Sequence, residues 1–191
     1  MKGMKIFAGV AALLALVGCG GANARTYSVA FDDSASQNLP PSCFVNNTVP
    51  TTKVELTNER QELVFVIWDG TEGKQYLDLS RKSWSLGDAE DVIISGLVES
   101  TDGKVFSGTR TARTLPNPAA ANPNFSDTQV STVTVTFDEV GATAKGSIAL
   151  KSDYTCTSCQ NNGGKVNCSA QYTFSGRKVE YQNFSSVPNQ F

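Results

Sequence analysis

Cysteines at positions 19, 43, 156, 159 and 168 are the residues from which chemistry could start. Cys156-x-x-Cys159 has the spacing of half a zinc site and of a dithiol redox pair. The redox reading needs a βαβ setting, and no such pattern surrounds the pair. The chain has no histidine, which excludes serine–histidine and cysteine–histidine nucleophiles and histidine-held metals. Ser175-Gly176-Arg177-Lys178 has a spacing in which a lysine can activate a serine, but that chemistry sets its serine at a helix start, and this one follows strand-like sequence. Asp88, Glu90 and Asp91 offer oxygens to a hard cation without the alternating spacing of a calcium loop, so they read as a solvated acidic loop. Trp68 ends an apolar run and is expected in the core. Trp84, among Arg81, Lys82 and Ser85, is the better candidate for an exposed contact. No catalytic set, metal site or cofactor is expected.

The first residues read as an address rather than as fold. Lys2 and Lys5 precede the apolar stretch Ile6 to Val17, too short for a bilayer core that needs roughly 20 apolar residues. Leu16-Val17-Gly18-Cys19 follows and resembles the lipobox of bacterial lipoproteins. The resemblance covers the first 19 residues. It implies cleavage of residues 1–18 and lipidation of Cys19, with diacylglycerol and palmitate anchoring the new N-terminus. Two or more acyl chains, at about 0.8 kcal/mol per buried CH₂, give stable attachment where one does not. Gly20 follows the cysteine, where enteric lipoproteins kept at the inner membrane carry Asp, so the resemblance implies the outer membrane, on its periplasmic or surface face.

Loss of Lys2 and Lys5 leaves 14 basic against 18 acidic residues, a net charge of −4. That balance opposes nucleic acid as a partner. In an exported chain the remaining Cys43, Cys156, Cys159 and Cys168 read as two disulfides. Three connectivities are open. A two-residue turn at Gly163-Gly164 would set Cys159 opposite Cys168 and leave Cys43 to Cys156; a three-residue turn would set Cys156 opposite Cys168. Hairpin geometry leads us to expect the first.

The elements that must position these residues are strands. Gly20 to Arg25 reads as a tether with a reach of roughly 14 Å, and a single β-rich domain is expected over 26–191. Tyr27, Val29 and Phe31 alternate with polar residues, and Leu63 to Trp68 is a continuous run typical of a strand buried on both faces. Asp102-Gly103 is a hairpin signal. Leu115 to Asn124 holds three prolines and reads as an exposed loop. Val133, Val135 and Phe137 alternate with threonines, Asp138 to Gly141 turns, and Ala144, Gly146, Ile148 and Leu150 alternate on return, an antiparallel hairpin in which Gly146 marks a bulge or a close approach. Cys168, Ala170, Tyr172 and Phe174 line a further strand. The terminal Phe191 ends a stretch without the alternation of a membrane-barrel strand. Some eight to ten strands of this kind predict an all-β antiparallel sandwich, with a small barrel as the alternative.

The function expected from these readings is that of a non-enzymatic interaction or scaffold lipoprotein of the cell envelope, serving an adhesion, secretion or motility assembly. Its contacts would be the membrane, through its lipid, and other envelope proteins. A lipocalin-like carrier is the second reading, to be recognised by a cavity and removed by a filled core. A carboxylate-dependent hydrolase ranks last.

Overall fold

A computed structural model describes residues 24–32, 34, 38–50, 63–70, 73–79, 83–94, 98–100, 102–160 and 164–180. The strands are β1 (Ala24–Phe31), β2 (Leu63–Asp69), β3 (Gln75–Leu79), β4 (Ser83–Trp84), β5 (Val92–Ile93), β6 (Val98–Ser100), β7 (Val105–Thr114), β8 (Ser126–Val140), β9 (Thr143–Thr157) and β10 (Cys168–Val179). The class is all-β, as period-two alternation predicts. Eight strands form one antiparallel ring in the order β1-β10-β9-β8-β7-β6-β3-β2, and β4 with β5 makes a separate two-stranded hairpin. Around the ring the chain moves to the next available strand each time, an up-and-down meander closed by β1 between β10 and β2. The closed hydrogen-bond ring is that of the small barrel; the side chains that fill it pack as they do between the sheets of a sandwich.

The interior is built by the alternation. Val133, Val135 and Phe137 of β8 face inward with Ile148 and Leu150 of β9, Tyr172 and Phe174 of β10, Phe65 and Ile67 of β2, and Phe106 of β7. Phe137 and Phe174 stand edge to face at 5.3 Å, Phe65 and Phe174 at 5.2 Å, and Phe106 and Phe137 at 5.7 Å. Each such pair contributes about 0.5–1.5 kcal/mol beyond the area it buries. In β2 the residues Leu63 to Ile67 are all buried, Val64 and Val66 on the face away from the central cluster, so that run is covered on both sides as its sequence predicts.

The β8–β9 hairpin is the expected one, with a shift of register between Phe137 and Glu139. The strand therefore continues to Val140 rather than turning from Asp138, and the tip falls at residues 141–142. Gly146 pairs with Phe137 on one side and Phe174 on the other. A Cβ there would collide with the Thr136 carbonyl oxygen, so the glycine permits both the bulge and the close approach. Residues 115–124 are exposed throughout.

β1 begins at Ala24, earlier than Thr26. Arg25 pairs with Ile67 in the ladder and lies 3.6 Å from the Asp69 carboxylate. The expected tether over Gly20 to Arg25 thus loses its last two residues to the barrel. Cys19, the leader, the remainder of the tether and Phe191 lie outside the described residues.

Candidate functional site

Strands β8 and β9 are longer than their neighbours need. β10 begins opposite Ser152, and among the described residues β6 meets β7 at one pair, Glu99 with Ser107. Beyond those points β7, β8 and β9 continue as a three-stranded extension ending near Thr114, Ser126 and Thr157. Along it the inward positions turn from apolar to polar: Ser131, Gln129 and Asp127 on β8, Ser152, Tyr154 and Cys156 on β9.

The β4–β5 hairpin closes this end of the barrel. Ile93 donates its backbone N–H to the Ser131 hydroxyl at 3.0 Å, and Gln129 donates its side-chain amide to the Asp91 carbonyl. The acidic run is solvent-exposed at Asp88 and Asp91 and half-buried at Glu90, as expected of a solvated loop, and it is also tied to the fold. The Asp88 carboxylate accepts the Val45 N–H at 2.8 Å, the Glu90 carboxylate pairs with Lys165, and the backbone carbonyl of Asp91, not its carboxylate, accepts from Gln129. Its acidity alone could not reveal this, because the partners are 43 and 38 residues away for Asp88 and Asp91. Among the described residues no group of three or more histidine, cysteine, aspartate or glutamate side chains could hold a metal.

Trp84 corrects the sequence expectation. It is 7% exposed, edge to face with Phe31 at 5.3 Å and tilted over Tyr172 at 6.4 Å. It caps the aromatic core from the hairpin instead of offering a surface contact. Trp68, expected inside, is half-buried where β2 leaves the barrel, beside Ala24 and Tyr76. Position in the ring, invisible in the local sequence, buries Trp84 and leaves Trp68 half-buried.

The disulfides correct another. Cys43 pairs with Cys168, their Cα atoms 4.7 Å apart, and Cys156 pairs with Cys159 at 6.2 Å. All four cysteines are bridged, as expected of an exported chain, but neither Cys159–Cys168 nor Cys43–Cys156 forms. A Cys159–Cys168 bridge needs β9 and β10 to end level with each other at a tight turn. Cys168 instead faces Ser152, and β9 overhangs β10 to keep β8 as its partner. Cys43, in the short 3₁₀ turn Pro41–Cys43, is fully buried and ties that turn to the start of β10. Cys156 and Cys159 are half-buried at the tip of β9, and Ser158 between them has a φ of 59°, a left-handed conformation uncommon outside glycine.

Asp127, near the end of the extension, accepts the Thr114 N–H at 3.2 Å and the Tyr154 hydroxyl at 3.0 Å. Hydrogen bonding from Thr114 first, and then from Tyr154, holds its carboxyl below the usual range. Burial first, then Asp127, raises the Tyr154 phenol. A carboxylate held ionised in this way is a weak proton donor, and its oxygens are spent on the sheet. Ser175 and Lys178 lie three apart in β10, so their side chains leave opposite faces and do not form a serine–lysine pair.

The arrangement defines a small antiparallel barrel with an aromatic interior, one end capped and one sheet extension projecting past it. No protein-family model, curated protein or solved structure matches the chain.

Proposed function

We propose that this protein is a lipid-anchored lipoprotein of the bacterial cell envelope that acts as an interaction module and carries no chemistry of its own. The observation that supports this best is the filled interior. An eight-stranded ring is just wide enough either to pack its own side chains or to hold one small ligand. Here Phe65, Phe137 and Phe174 meet across the centre at 5.2–6.3 Å. That packing weighs against the lipocalin-like reading and leaves strand edges and loops as the surfaces through which the barrel can act. The anchoring half of the proposal rests on the leader and on Leu16-Val17-Gly18-Cys19, and places the barrel within a few residues of the outer membrane.

Two experiments test it. A palmitate analogue fed to cells should label the wild type and not Cys19→Ala; a soluble product beginning elsewhere would refute anchoring. Crosslinking on intact cells followed by mass spectrometry should recover envelope proteins, and fewer from the unlipidated variant. Turnover of an ester, glycoside or peptide substrate that is lost on changing one carboxylate would overturn the non-enzymatic reading.

A further inference from the structure

The three-stranded extension has two lateral edges, and the chain treats them differently. On the β9 side, Asn167 accepts the Tyr154 N–H at 2.8 Å in place of a ladder partner, and the Cys156–Cys159 bridge folds the chain back at the tip. On the β7 side, nothing among the described residues pairs with the stretch from Thr109 to Thr114. Ladder parity fixes which groups face outward. The Phe137 N–H donates to the Lys104 carbonyl, so even-numbered residues of β7 bond to β8 and odd-numbered ones face away. Ser107, the residue paired with β6, fits that parity. The N–H and C=O groups of Thr109, Thr111 and Arg113 therefore line an edge that no described residue covers, roughly 14 Å from Thr109 to Arg113 at about 3.4 Å per residue.

An open edge is a template for one more strand, and the side chains along it select the occupant. Arg110 and Arg113 are exposed, and none of the ion pairs among the described residues involves them. Being three apart, they leave opposite faces of the sheet. Odd-numbered residues face outward on both copies, so a second copy pairing antiparallel must set odd against odd. With Thr111 opposite Thr111 the two Arg110 side chains become diagonal neighbours on one face, within reach of each other, and four guanidinium groups crowd one shared edge. Leu115, directly beyond the edge, is 74% exposed, the most exposed large hydrophobic side chain among the described residues.

We propose that the free edge of β7 receives an extended segment of another envelope protein by strand addition, with carboxylates of that segment meeting Arg110 on one face and Arg113 on the other and an apolar residue covering Leu115. This rests on the interaction-module reading and gives it a surface and a partner chemistry.

The test uses the full-length purified protein and a labelled threonine-rich peptide with glutamates three residues apart, beside a counterpart with lysines in their place. The glutamate peptide should bind at least tenfold more tightly than the lysine peptide, and should protect the amides of Thr109, Thr111 and Arg113 from hydrogen exchange. Thr111→Pro removes an edge N–H that β8 does not use, so the barrel should keep its circular dichroism and melting temperature while binding falls at least tenfold. Arg110→Glu with Arg113→Glu should reverse the preference between the peptides. Equal binding by wild type and Thr111→Pro, protection elsewhere, or no charge preference would overturn the proposal. So would a concentration-dependent dimer in sedimentation that Thr111→Pro abolishes, which would assign the edge to a second copy. Cell crosslinks that form but avoid β7 would sink this inference and leave the interaction-module reading standing; the absence of any crosslinked protein would sink that reading instead.

Discussion

The two disulfides close loops of very different length, and their removal should separate accordingly. Cys43–Cys168 spans 125 residues of sequence and Cys156–Cys159 spans 3. In the chain-entropy model the longer loop is worth about 5 kcal/mol and the shorter about 2 kcal/mol. The long bridge also ties a fully buried cysteine into the core, so its loss adds a packing defect, whereas the short one lies half-buried at a strand tip. At about 2–4 °C per kcal/mol for a domain of this size, Cys43→Ala with Cys168→Ala should lower the melting temperature by roughly 10–20 °C, and Cys156→Ala with Cys159→Ala by about 4–8 °C. Thermal melts followed by far-UV circular dichroism, with both double variants and the wild type kept oxidised, measure the difference. The same contrast should appear on reduction: mild phosphine treatment of the folded protein followed by alkylation and peptide mapping should label Cys156 and Cys159 before Cys43 and Cys168. Equal losses of melting temperature, or first labelling at Cys43, would refute the assignment of the long bridge to the core.

Three further outcomes follow from the packing and the charges. Gly146→Ala forces the Thr136 carbonyl and the bulge to shift and should destabilise by about 1–3 kcal/mol in urea titration, whereas Gly141→Ala, with open space around it, should change little. Trp84→Ala should cost about 3–5 kcal/mol if the tryptophan caps the core as the structure has it, and a change within about 0.5 kcal/mol would place it on the surface. Asp127 has a carboxyl pKa lowered by folding, so its contribution is present above the unfolded value near 4 and is lost as pH falls through the folded one. Urea midpoints measured from neutral pH downward should show a shallower acid decline for Asp127→Asn than for the wild type.

What the sequence makes legible is what neighbours along the chain decide. Alternation from Val133 to Leu150 specifies a hairpin and its inward face, Gly146 marks the crowded position opposite Phe137, and the prolines of Leu115 to Asn124 mark an exposed loop. The run from Leu63 to Trp68 declares a strand covered on both faces because no polar residue interrupts it. Closure of the ring by β1 was not legible, since pairing of Tyr27 with Phe65 and Lys178 is set by barrel geometry and not by local pattern. The burial of Trp84 is hidden from its local sequence because the rings it packs on, Phe31 and Tyr172, are distant in the chain. The cysteine pairing failed on strand length, a property that depends on β8 continuing past β10. The candidate edge on β7 was equally hidden: Arg110 and Arg113 are ordinary residues until β6 is seen to stop beside Ser107.

The closed ring also has a mechanical consequence. β1 and β7 are diametrically opposed, four steps apart whichever way the ring is followed. Under the proposed anchoring, a tug between the membrane and a partner seated on β7 enters through β1 and divides between two arms. One arm runs through β10, β9 and β8 along long ladders, and the other runs through β2, β3 and β6 and ends at Glu99–Ser107, the one β6–β7 pair among the described residues. Tension then concentrates on that one rung, and the second arm parts there first. The barrel would open into a curved sheet with β6 at one margin, β7 at the other and β1 between them, lengthening under load without releasing either attachment.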